Sequence, residues 1–283
     1  MYQTLNCRGH LLHLDKPQIM GILNVTPDSY VESSRAQNER SLMARMEKLL
    51  NEGATIIDIG ACSTRPGGPL VDEDEELRRL EWALPLIRRE YGSVILSVDT
   101  FRSRVARISV ESFCADMVND VSGGHADPEM FAFIAKMGIP YVLTYSPMSP
   151  KDVHESSIEG DVVKEMMLFF AEKISQLHAL GAKDIVLDPG FGFGKTLRQN
   201  YEIMQRMDRL EEFELPILVG ISRKRMLKDL LHIDTEQSLN ATTALHVMAL
   251  ERGSRILRVH DVKAAMEAIE VWKAVRNPNV LGN

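Results

Sequence analysis

Eight times along the chain, a short apolar run gives way to a longer stretch with helical spacing, and this alternation limits the fold more than any other feature. The runs are Ile19–Val25, Thr55–Ile59, Val94–Val98, Met117–Val121, Tyr141–Leu143, Ile185–Leu187, Ile217–Val219 and Ile256–Val259. Continuous apolar strands suit a parallel sheet covered on both faces, and eight such units in 283 residues predict closure into a (β/α)8 TIM barrel. An open doubly wound sheet is the alternative. Two short strand-like runs around Arg8-Gly9 predict a hairpin over residues 2–15, ahead of a barrel spanning about 18–276. Without a linker or low-complexity segment, residues 1–283 read as one domain. Two helical stretches, Met226–Leu231 and Gln237–Arg252, fall between the seventh and eighth runs, so one unit carries an extra helix. Gly53 and Gly181 stand where helices would end in left-handed caps.

A formal net charge of −7 gives no electrostatic footprint for nucleic acid, and no apolar run approaches the length of a membrane span. No secretory leader is legible, so the expectation is a cytoplasmic protein without nucleic-acid or membrane partners. Cys7, Cys62 and Cys114 lack C-x-x-C spacing and read as free thiols.

The stretch IVLDPGFGFGKT, residues 185–196, delivers Asp188 from a strand into a glycine-rich loop. It is not a phosphate-cradling P-loop, because the required first glycine is Pro189, which has no N–H to offer. It is not a dinucleotide fingerprint either, because Lys195 takes the place of the third glycine; no helix is expected to open directly there.

In such a barrel the functional groups collect at the carboxyl ends of the strands. Those ends carry Asn24, Asp58, Asp99, Asn119, Tyr145, Asp188, Ser222 with Lys224, and Arg258 with His260. A single Asp or Asn in a loop is more often a turn former or helix cap, but a polar group at every end is harder to explain in that way. Asp99, Asn119, Asp188 and Lys224 supply acceptors, an amide and a cation suited to a flat heterocycle with an N–H pair beside a carbonyl. Arg258, His260 and Asn24 suit an anion such as phosphate, with Asn24 able to offer oxygen to Mg2+.

Seven segments, NVTPDS (24–29), STRPG (63–67), SVDT (97–100), NDVSG (119–123), LDPGFGFGKT (187–196), GISRK (220–224) and RVHD (258–261), together resemble the ordered motifs of the dihydropteroate synthases. The resemblance implies condensation of 6-hydroxymethyl-7,8-dihydropterin diphosphate with 4-aminobenzoate, giving 7,8-dihydropteroate and diphosphate, in a homodimer that uses Mg2+. By position it implies that Asp99, Asn119, Asp188 and Lys224 hold the pterin, with Phe193 beside them, and that Arg258 stacks on the pterin face. Asn24, Arg258 and His260 would hold the diphosphate with Mg2+. Two loops, Thr26–Arg35 and Ala61–Pro69, would bring Tyr30, Thr64, Arg65 and Pro66 around the aminobenzoate, and Gly220 and Ser222 are further substrate-binding candidates. Arg225, beside Lys224 near an expected helix start, is expected at the aminobenzoate carboxylate. The chain departs from the family pattern at Tyr30–Ser34, at Cys62, at Thr144–Ser146 and at Arg225. A pterin-dependent methyltransferase shares the barrel but would not call for STRPG, SRK and RVHD together. A non-catalytic pterin-binding paralogue would have no use for the retained anion group.

Overall fold

The computed structural model describes residues 3–25, 35–62, 71–146 and 158–281. An antiparallel hairpin comes first, β1 (Thr4–Cys7) and β2 (His10–His13). Its two-residue turn has positive φ at both Arg8 (54°) and Gly9 (91°), the handedness that matches strand twist, and the Asn6 side chain accepts from the Gly9 N–H at 2.7 Å.

Eight parallel strands follow: β3 (Gln18–Asn24), β4 (Ile56–Gly60), β5 (Ile95–Asp99), β6 (Met117–Asp120), β7 (Tyr141–Thr144), β8 (Ile185–Asp188), β9 (Ile217–Val219) and β10 (Ser254–Val259). They pair in chain order, and β10 closes against β3, so the sheet is the closed barrel expected rather than an open one. The helices between them are α1 (Arg35–Asn51), α2 (Glu73–Glu90), α3 (Ser103–Phe113), α4 (Met130–Met137), α5 (Val162–Leu180), α6 (Leu197–Arg206), α7 (Arg225–Leu231) and α8 (Leu239–Glu251), with α9 (Val262–Arg276) after the last strand. Helices α7 and α8 both lie between β9 and β10, which is the extra helix read from the sequence.

Local chemistry sets the helix ends. Asp72 caps α2 by accepting from the Glu75 N–H at 2.8 Å, and acidic residues fill its first turn while Arg88 and Arg89 close its last. Gly181 ends α5 in the left-handed conformation, as expected. The expectation that no helix opens beside the 185–196 loop is wrong: Thr196 forms a capping box with Gln199 and starts α6 at Leu197. A Gly-Lys-Thr run followed by a helix looks superficially like a phosphate loop, but the lysine is engaged elsewhere, as described below.

Two apolar cores result from strand alternation. Outward residues such as Ile57, Ile59, Val98 and Leu187 pack under the helices. Inward, Met20, Ile56, Met117, Val142, Val186, Leu218 and Ile256 form a floor, which the hairpin plugs from below with Leu5, Cys7, Leu12 and Leu14. Two residues further along the strands, the inward positions become Ile22, Asp58, Ser97, Asn119, Thr144, Asp188, Gly220 and Arg258, polar at most strands. The barrel interior therefore changes from apolar to polar within one layer, and the polar layer opens toward the carboxyl ends of the strands.

Candidate functional site

Arg258 organises this polar layer. Its Nε donates to Asp58 Oδ2 at 2.6 Å and its Nη2 to Asp99 Oδ2 at 2.5 Å, while Asn119 Nδ2 donates to the same Asp58 oxygen at 3.0 Å. Burial pulls the guanidinium pKa down, but the Asp58 and Asp99 carboxylates outweigh it and hold the cation charged. Burial pushes the Asp99 carboxyl up, Arg258 opposes the rise, and Asp58 adds to it. Asp188 is also pushed up by burial, against the Gly190 N–H, which donates to its Oδ1 at 2.8 Å, and against Lys224, Arg258 and Lys195.

Glycines leave room between these groups. A Cβ at Gly220 would lie 3.9 Å from Asp188 Oδ2 and 4.0 Å from Arg258 Cδ, and one at Gly60 would lie 3.1 Å from Asn24 Oδ1 and 3.9 Å from Asp99 Oδ2. Asn24, Asp99, Asn119, Asp188 and Arg258 thus share one mouth. Lys224 joins them with its Nζ 4.3 Å from the centre of the Phe193 ring, and burial lowers its pKa to about 8 against the pull of Asp188. Next to Lys224, Ser222 Oγ accepts from the His260 N–H at 3.2 Å and lies 3.3 Å from His260 Nδ1. Arg223, in the left-handed region at φ 56°, clamps Asp261 through contacts of 2.7 and 2.9 Å. These contacts fasten the loops after β9 and β10 to each other and fix where Lys224 and His260 stand.

Some expectations need revision. Tyr145 does not face the mouth: its ring packs outward, 5.3 Å from Phe169 and 6.3 Å from Phe170, and the inward polar end of β7 is Thr144. Arg225, the first residue of α7, is exposed and pairs with Asp229 one turn on at 3.0 Å, a solvated helix-face pair. Tyr30, Thr64, Arg65 and Pro66 lie outside the described residues.

Two residues escaped the sequence reading. Asp58 closes its strand with no role legible from the sequence; its signal is a second carboxylate on the strand next to that of Asp99, with the same inward parity. In the sequence Lys195 stands out only as the residue in place of a third glycine. Its Nζ instead donates to the carbonyls of Gly190 at 2.7 Å, Tyr145 at 2.9 Å and Phe193 at 3.1 Å, and it stands 4.5 Å from the centre of the Tyr145 ring. Burial lowers its pKa to about 7. This lysine ties the glycine-rich loop into the shape that presents Asp188 and Phe193.

No three His, Cys, Asp or Glu side chains among the described residues form a metal-holding group. The one oxygen donor assigned to a metal from the sequence, the neutral amide of Asn24, suits a hard ion that brings most of its ligands with it, as Mg2+ does when phosphate oxygens and water complete its shell.

The comparisons agree with this architecture. A family described as "pterin binding enzyme" matches residues 20–260. The dihydropteroate synthase of Escherichia coli K12 is 38% identical over 272 residues, covering 95% of each chain. Among solved structures, a Xanthomonas albilineans dihydropteroate synthase with 4-aminobenzoic acid superposes with a TM-score of 0.87 at 38% identity, covering 98% of this chain and 99% of its own. A Yersinia pestis dihydropteroate synthase in complex with a sulfonamide drug superposes with a TM-score of 0.88 at 38% identity, covering 99% and 100%. Matched over nearly its whole length, with the seven motifs in order, the chain belongs to the dihydropteroate synthases, pterin-binding transferases of folate synthesis.

Proposed function

We propose that this barrel joins 6-hydroxymethyl-7,8-dihydropterin diphosphate to 4-aminobenzoate, and that the mouth divides the work between two groups of residues. Asp99, Asn119, Asp188 and Lys224 hold the edge of the pterin by alternating acceptors and donors. Arg258 uses the edge of its guanidinium on Asp58 and Asp99, which leaves its flat face for the ring. His260, Ser222 and Asn24 lie toward the leaving diphosphate, and Asn24 with the substrate phosphates would hold Mg2+, which when bound neutralises phosphate charge. On the aminobenzoate side stand Gly220 and Arg225, with Tyr30, Thr64, Arg65 and Pro66 from the two loops. Arg225 would serve there only by releasing Asp229.

The chemistry asks for no nucleophile from the protein. The methylene carbon–oxygen bond of the ester breaks, its electron pair leaves with the diphosphate, and the cation character that develops on the pterin is stabilised by Asp99 and Asp188. The aniline nitrogen then bonds to that carbon and passes a proton to the released diphosphate or to water. Its attack is promoted by placement rather than by a base. We further propose that the hairpin and barrel act as one domain, in the cytoplasm, as a homodimer; no helix among the described residues is long and apolar enough to cross a membrane.

The observation that carries this reading is the buried bridge of Arg258 across Asp58 and Asp99, set beside Asp188 and Lys224 at one barrel mouth. The test is diphosphate release. It is expected only when both the pterin ester and 4-aminobenzoate are present, with 7,8-dihydropteroate formed in equal amount. Pterin binding without release would make the chain a binding protein instead.

A further inference from the structure

Asp58 is fully buried, and an ionised carboxylate in that position needs partners. It has two, both on one oxygen: Arg258 Nε at 2.6 Å and Asn119 Nδ2 at 3.0 Å. Its other oxygen has no partner among the described residues, and neither does Asn119 Oδ1, although Asn119 is 1% exposed. An ionised carboxylate can only accept. Asn119 must therefore turn its NH2 toward Asp58, which leaves the amide oxygen as a buried acceptor in the polar layer. The same carboxylate fixes one of the two points at which the Arg258 guanidinium is held, Asp99 fixing the other.

We propose that Asp58 is a positioning residue that sets the hydrogen-bond polarity of the heterocycle pocket: it makes Asn119 present oxygen rather than NH2 to the ligand and holds the plane of Arg258. This rests on the reading of the mouth as a pterin site. The pocket then demands a heterocycle with an N–H donor opposite Asn119, and the discrimination comes from a residue that need not touch the ligand. Leucine at position 58, close in size but without an acceptor, would remove the one oxygen that Arg258 Nε and Asn119 Nδ2 share. Asn119 would then be free to flip and meet the ligand donor to donor.

The experiment is calorimetric titration with 6-hydroxymethylpterin, beside steady-state kinetics in 4-aminobenzoate. Asp58→Leu is expected to weaken the pterin about 10- to 100-fold, the range for a lost hydrogen bond to a charged group, with the KM for 4-aminobenzoate unchanged. Adding Asn119→Ala to Asp58→Leu should bring little further loss, because an amide no longer held in one orientation no longer helps. Asp58→Ser, smaller and uncharged, should weaken the pterin to a similar extent and serves where the leucine variant does not fold. Pterin affinity unchanged in a folded Asp58 variant overturns the proposal, as do losses for Asp58→Leu and Asn119→Ala that simply multiply. Should the unaltered protein bind no pterin, the site reading itself fails. Binding by the unaltered protein and by the Asp58 variants alike sinks this inference alone.

Discussion

Lys224 shows at the scale of one residue how the fold prepares a site at a cost to itself. Burial lowers its pKa to about 8 from the ordinary 10.5, so between those values the folded chain binds fewer protons than the unfolded one. The contribution of Lys224 to stability is therefore present above pH 10.5 and is lost as pH falls through 8. In the proposed pterin site the ammonium is the donor, so pterin binding should run the other way. Affinity for 6-hydroxymethylpterin should fall as pH rises through about 8, and Lys224→Arg, which stays protonated, should remove that alkaline limb. Titration at a series of pH values checks this; an affinity flat from pH 7 to 9.5 would exclude Lys224 as a donor. The chemistry of Asp188, Asn119 and Lys224 was legible in the sequence because each closes an apolar run. The work of Asp58 was not, since its partners, Arg258 and Asn119, stand 200 and 61 residues away and meet it only when the barrel closes.

Among the elements, the loop between β8 and α6 carries the tightest constraint. Gly190 has φ +67°, and a Cβ there would stand 2.1 Å from the Tyr145 carbonyl oxygen, while its N–H supports Asp188. Gly138 has a similar φ of +61° but nothing within 4 Å of a Cβ. Gly138→Ala should cost about 1–2 kcal/mol, the strain of a left-handed alanine. Gly190→Ala adds a backbone clash and should cost about 2–4 kcal/mol in urea unfolding, with weakened pterin binding. Equal costs at the two glycines would mean that the loop yields, and the strained presentation of Asp188 would be wrong. Strand positions, the hairpin and the extra helix could be read from periodicity because the pattern is local. The direction in which β7 ends its polar run could not, because Thr144 and Tyr145 are adjacent polar residues and only the barrel's inside and outside separate them. The opening of α6 at Leu197 is spelled by the capping box of Thr196 and Gln199, but the glycines and Lys195 just before it read as a continuing loop.

For the molecule as a whole, closure of the barrel is what turns a list of strand ends into a site. The hairpin and the floor of apolar side chains seal one end, and above them the interior holds Asp58, Asp99, Asp188, Arg258 and Lys224 in a confined space where charge interactions are stronger than in water. As proposed above, this mouth contains two separable groups, one for the pterin and one for the leaving diphosphate. The most direct measurement compares Asp188→Asn with His260→Ala, taking affinity for 6-hydroxymethylpterin by calorimetry and the rate of diphosphate release from its ester. Asp188→Asn should lose about 2–4 kcal/mol of pterin affinity, because it sets an amide against N–H groups that a carboxylate accepts. His260→Ala should leave that affinity nearly intact while slowing release about 10²–10³-fold, the usual effect of removing one donor to developing negative charge. Equal weakening of alcohol and ester by His260→Ala, or a folded Asp188→Asn that binds the pterin as well as the unaltered protein, would contradict the division.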